Sequence, residues 1–184
     1  MFTKIVWNNE EQYGCEYLSI LEANEKLLVH STIIQAAEGV ADANLVNYQV
    51  DLDANWITKK VKLNVDQQAL ELHSDGKGNW SNSEGEEIET LKGCIDIDIS
   101  ATPFSNSMPI NRLNWTSHQK EHFHMAYIAV PSLEYKKVPQ SYQYLREEDG
   151  IRYFLYRCYD YETTIAVDSN GLVVDYPGVF SRQF

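Results

Sequence analysis

Along much of the chain apolar residues recur at every second position. "KKVKLNVD" (59–66) sets Val61, Leu63 and Val65 on one side and Lys60, Lys62, Asn64 and Asp66 on the other. "NYQVDLD" (47–53) does the same with Tyr48, Val50 and Leu52, and "CIDIDIS" (94–100) with Ile95, Ile97 and Ile99. A period of two is the signature of half-buried strands, whose successive side chains point to opposite faces. "HFHMAYIAV" (122–130) and "RYFLYRCYDY" (152–161) are apolar or aromatic on both faces, which predicts strands covered on both sides.

Turn-forming clusters punctuate these runs: "SDGKGN" (74–79), "NSEGEE" (82–87), "EEDG" (147–150) and "DSNG" (168–171). Short strands separated in this way predict a barrel, roll or sandwich. "LEANEKLL" (21–28) is too short for a stable helix and runs into β-like sequence, so a hairpin is predicted there. The one helix candidate is "TPFSNSM" (102–108), with Thr102 as cap, Pro103 at the first helical position and Pro109 limiting it to one or two turns. "LELHSDGKGNW" (70–80) and "IAVDSNGLVVDY" (165–176) echo each other, which fits either a duplicated half or two ordinary glycine hairpins. Tyr176-Pro177-Gly178 reads as a type II turn that docks Phe180.

Size and charge narrow the function. A chain of 184 residues is expected to fold as a single domain spanning 1–184. A formal charge of −12 disfavours nucleic acid and anionic membrane surfaces. Three scattered cysteines make no disulfide framework. The start lacks a signal-peptide core, and no run approaches the ~20 apolar residues of a membrane helix, so a cytoplasmic protein without an integral membrane segment is expected.

Candidate chemistry is sparse. His122 and His124 are spaced to share a strand face and could bind zinc given a third ligand, which is not visible; no metal or cofactor is expected. Asp96 and Asp98 lie roughly 7 Å apart on one strand face. That suits paired acid–base carboxylates or an oxygen-rich cation site, and equally a wet polar face. No G-x-S-x-G motif is present, and no histidine is placed to activate Ser100, Ser105 or Ser107.

Three blocks together resemble the putative glycolipid-binding family of bacterial proteins: "VW…YGCEYL", "LKGCIDIDISATPFSNSMPINRL" (91–113) and "VDSNGLVVDYPGVFSR" (167–182). Ser105, Ser107, Met108 and Asn111 stand where the family pattern has Thr, Thr, Leu and Arg. The resemblance implies a mainly β spiral roll, a long antiparallel sheet wrapped around a single helix, assembled as a homodimer. It implies no catalytic residues. On that plan the Ile95/97/99 side faces the concave interior, and the two aspartates face solvent or another strand. An apolar cavity would hold the chains of a glycolipid or other amphiphile. Asp96, Asp98, Thr102, Phe104, Asn106, Arg112 and Tyr176 are the candidate ligand-binding residues. Two alternatives stand beside this: a dimeric interaction protein with a self-filled core, and a hydrolase-type enzyme using Asp96 and Asp98.

Overall fold

The computed structural model describes residues 2–36 and 43–184. Seven strands come first: β1 (Phe2–Asn9), β2 (Tyr13–Ala23), β3 (Lys26–Ala36), β4 (Asn44–Asp53), β5 (Thr58–Val65), β6 (Gln68–Ser74) and β7 (Trp80–Asn82). Seven more follow: β8 (Asp96–Ile99), β9 (Lys120–Ile128), β10 (Tyr135–Glu148), β11 (Ile151–Cys158), β12 (Tyr161–Val167), β13 (Val173–Tyr176) and β14 (Phe180–Arg182). All fourteen form one open sheet in the order β7-β6-β5-β4-β3-β2-β1-β14-β13-β12-β11-β10-β9-β8. A seven-strand meander (β1–β7) and a six-strand meander (β9–β14) that carries β8 on its far edge are thus joined through the β1–β14 pair, where Trp7 lies opposite Arg182.

The period-two pattern sets which side is buried. In β2 to β5 the inward positions include Leu18, Val29, Val46, Val50, Val61 and Leu63, all fully buried, while Tyr17, Thr32, Asn47 and Lys62 lie outside. The hairpin expected at 21–28 is present: β2 and β3 are joined by Asn24 and Glu25, both at positive φ, as a type I′ turn requires. β11 has no exposed position, but β9 exposes His122 and His124, so only its second half is covered on both faces.

One five-residue turn recurs. Asp75 Oδ1 accepts from the amides of Lys77 and Asn79, and Asp168 Oδ1 from those of Asn170 and Leu172. Asp53 and Asn82 repeat this two-and-four-residue pattern. In each the fourth residue has positive φ: Trp56, Gly78, Gly85 and Gly171. The echo between 70–80 and 165–176 therefore comes from a local turn that an Asp or Asn side chain organises, and that turn also appears in two other places.

β8 and β9 pair in parallel, unlike every other neighbouring pair. A parallel pair needs a crossover, and this one runs through a 3₁₀ turn at Pro103–Asn106 and the helix α1 (Ser107–Arg112). Curling the sheet around that crossover puts it inside. Thr102 caps the turn, its Oγ1 accepting from the Phe104 amide at 3.0 Å, as the sequence predicts. Pro109 does not end the helix, which runs on to Arg112. Pro109 falls in the first turn of α1, where an amide hydrogen has little to lose.

The roll is not hollow. Phe104, Met108 and Ile110 of the crossover are fully buried, and they share one cluster with Trp7, Leu63, Ile97 and Phe154. The apolar cavity expected from the concave sheet is filled by the chain's own helix. A cleft of about 250 Å³ lined by Ile20, Leu27, Trp56 and Leu172 remains outside this packed cluster. Of the two β8 aspartates, Asp98 meets another strand as expected, and Asp96 departs from expectation. Ile97 and Ile99 do join the core, whereas Ile95, just before β8, is only partly buried, and neither acid reaches solvent freely. Asp96 is fully buried against α1, and Asp98 meets β10.

Candidate functional site

Where the crossover leaves β8, a cleft of about 290 Å³ opens between the crossover and β11–β14. It lies at the lower end of the ~300–1,000 Å³ typical of small-molecule sites. Its floor is Asp98, Ser100, Thr102 and Asn106. One wall is aromatic. Tyr156 and Tyr176 have ring centroids 5.9 Å apart, Tyr161 and Tyr176 6.3 Å, and Tyr176 and Phe180 6.3 Å. Alternation along β11–β13 puts Tyr156, Tyr161 and Tyr176 on the same side of the sheet. The Pro177–Gly178 turn brings Phe180 back beside them, with the Val179 amide donating to the Tyr176 carbonyl at 2.9 Å.

Four of the seven residues singled out in the sequence meet here: Asp98, Thr102, Asn106 and Tyr176. The other three do not line the cleft. Phe104 is fully buried and packs on Trp56 with centroids 6.2 Å apart. Asp96 and Arg112 bind each other through two bonds, Nη2 to Oδ2 at 2.7 Å and Nε to Oδ1 at 3.2 Å, with the guanidinium 5.2 Å from the Phe123 ring centre. The acids spaced for paired chemistry are thus separated by their partners, one tied to a cation and one open to the cleft.

Asp98 accepts from Gln140 Nε2 at 2.5 Å through Oδ2. Desolvation raises its pKa to about 6, and the Gln140 bond opposes that rise. Asn106 is held on both sides, its amide donating to the Pro103 carbonyl at 3.2 Å and its Oδ1 accepting from Tyr142 OH at 2.7 Å. Ser100 Oγ accepts from the Val130 amide at 2.9 Å, which leaves its hydroxyl hydrogen available. Burial pushes the phenols of Tyr156 and Tyr176 well above their ordinary range, so both remain neutral hydrogen-bonding groups. Burial also raises the Cys158 thiol at the cleft wall.

Sequence reasoning missed Tyr156, whose cue was its alternation with Cys158 in an aromatic run, and Tyr161, which comes to the same side only by pairing with Cys158 across the β11–β12 turn. It also missed Glu16, which lies on the inner face of β2 at 2% exposure. Glu16 Oε1 accepts from Ser31 Oγ at 2.7 Å and Tyr48 OH at 2.6 Å, and Tyr48 OH lies 3.2 Å from Thr102 Oγ1. Thr102 therefore touches both this interior network and the cleft. A Glu in a period-two strand would signal an inward acid only where it falls in phase with Leu18 and Ile20, as Glu16 does.

Trp80 and Trp115 serve the core. Trp80 Nε1 donates to the Cys94 carbonyl at 2.8 Å and Trp115 Nε1 to that of Ile110 at 2.9 Å. His122 and His124 are exposed on the first half of β9, and among the described residues no group of three or more His, Cys, Asp or Glu is arranged to hold a metal. No helix among them is long and apolar enough to cross a membrane.

Comparison with known proteins agrees with this architecture. A DUF1089 family protein from Pseudomonas aeruginosa, solved by crystallography, superposes with a TM-score of 0.79 at 29% identity over 91% of each chain. No curated protein matches. Residues 4–182 match the family described as "Putative glycolipid-binding", so this mainly β spiral roll belongs to that family.

Proposed function

We propose that the protein is a non-catalytic binding module that takes the polar head of an amphiphile in the tyrosine cleft and leaves the apolar part outside. The observation that carries this is the placement of the Asp98 carboxylate opposite the Tyr156, Tyr161 and Tyr176 wall. Flat aromatic faces receive the C–H face of a sugar ring, while a carboxylate and hydroxyls take its hydroxyl groups. The filled core supports a head-only mode, since the helix occupies the centre of the roll. The family description agrees with a glycolipid as the ligand class. Asp98, Thr102, Asn106 and Tyr176 are the contact residues of this reading. Phe104, Asp96 and Arg112 hold the floor in place behind them.

The test is flotation of the full chain with phosphatidylcholine vesicles, plain or doped with a galactosyl diacylglycerol. Binding to the doped vesicles alone, lost in Tyr176→Ala, is the expected result. Equal behaviour on both vesicles would remove the proposal. We extend the reading to a homodimer, supported by Tyr17, Ile34 and Leu45 exposed together on the outer sheet face. Light scattering on the purified chain tests it, and a monomeric mass would refute it.

A further inference from the structure

The cleft has a one-sided electrostatic character. Among the described residues its charged lining groups are two carboxylates, Glu11 at the mouth and Asp98 on the floor, with no lysine or arginine. Of the nearby cations, Arg112 is bound to Asp96, and the Lys136 ammonium stands 5.7 Å over the ring of the cleft residue Tyr127 without being part of the lining itself. The floor's backbone amides are also spent. The Ser100 amide donates to the Ile128 carbonyl, that of Thr102 to Ile99, and that of Phe104 to the Thr102 hydroxyl. What is left is mostly acceptors and neutral hydroxyls. Such a surface meets a hydroxyl-rich ring, and to a phosphate, sulfate or carboxylate it offers neutral hydroxyl donors but no lining cation.

Resting on the binding reading above, we infer that the cleft selects an uncharged sugar head and rejects anionic heads, with Asp98 as the residue that sets this specificity. Asp98 Oδ2 accepts from Gln140, which leaves Oδ1 to accept from ligand hydroxyls. An anionic group placed against the same floor would have its charge within a few ångströms of Asp98 in a partly desolvated cleft. There repulsion is several times its strength in open water. Discrimination thus comes from a built-in repulsive element as well as from an attractive one. The chain's overall charge of −12 acts in the same direction at longer range.

The experiment compares two amphiphiles that share tail and ring and differ in one carboxylate, octyl β-glucoside and octyl β-glucuronide. Tetraethylene glycol monooctyl ether serves as the sugar-free control. Each is titrated calorimetrically, below its micelle concentration, into wild type, Asp98→Asn and Glu11→Gln. The expected result is that the glucoside binds, the glucuronide binds about tenfold more weakly or worse, and Asp98→Asn narrows that gap. Glu11→Gln changes an exposed turn residue, so it preserves a folded comparator if Asp98→Asn unfolds, and it is expected to narrow the gap by a smaller factor. Equal affinity for glucoside and glucuronide in wild type would overturn charge selection while leaving head binding intact. A gap that survives both substitutions would overturn the role given to these acids. Binding of the sugar-free ether as strongly as the glucoside would overturn the head-binding reading itself, and the inference with it.

Discussion

Replacing Glu16 with Gln tests how the roll tolerates a buried carboxylate. Glu16 sits on the inner sheet face, with two hydroxyl donors on Oε1 and none within reach of Oε2. The groups that act on it are the hydroxyls of Thr102, Tyr48 and Ser31, and none is a cation. Burial accordingly pushes its pKa from 4.5 to about 7, and the hydroxyls only reduce that rise. At ~1.4 kcal/mol per pH unit, an ionised Glu16 costs the folded state roughly 3 kcal/mol. That is a large share of a typical stability of about 5–15 kcal/mol. The sign follows from proton binding. Between pH 4.5 and about 7 the folded chain keeps a proton that the unfolded chain releases. Stability therefore falls as pH rises through this window and is level above it. Glu16→Gln cannot ionise, so its own fall disappears. Urea unfolding of both proteins from mildly acidic to mildly alkaline pH gives the difference in stability at each step. Any fixed cost of the amide cancels, as does the contribution of Asp98, which both proteins retain. The difference is expected to move in the variant's favour by roughly 3 kcal/mol across the window. A difference that stays flat with pH would mean Glu16 ionises as an ordinary surface acid, and the desolvation argument would fail.

Two further predictions concern the internal crossover. Arg112→Ala strands Asp96 as an unpaired buried charge and is expected to cost roughly 3–5 kcal/mol in chemical denaturation, whereas replacing the pair together by Met and Leu is close to neutral; a loss under 1 kcal/mol in the single variant would show the pair to be incidental. Gly171 has φ +71°, and a Cβ added there would collide with the Asn111 side chain, whose Nδ2 donates to the Asn170 carbonyl at 3.0 Å. Gly171→Ala should cost about 1–2 kcal/mol from the backbone conformation alone, read as a lowered Tm, and an unchanged Tm would refute the strain.

Much of the fold is legible because period two needs only neighbours. Val61, Leu63 and Val65 declare a buried face without any knowledge of what covers it. Asn24-Glu25, the Asp-led turns and Thr102-Pro103 are equally local, since their hydrogen bonds span four residues or fewer. The site was half legible for the same reason. Thr102 and Asn106 belong to a conspicuous polar turn, but their convergence with Tyr156 and Tyr161 joins segments some fifty residues apart in the chain.

What the sequence determined by itself was the inward face of strands such as β4 and β5, several of the turns and the short helix, because propensity and alternation act over a few residues. Tertiary structure alone decided that the crossover helix fills the roll, that Asp96 is claimed by Arg112 while Asp98 opens to a cleft, and that Glu16 is desolvated. These outcomes depend on the curl of a fourteen-stranded sheet. Curvature is the sum of many small twists and packing choices, and no single stretch of residues carries it.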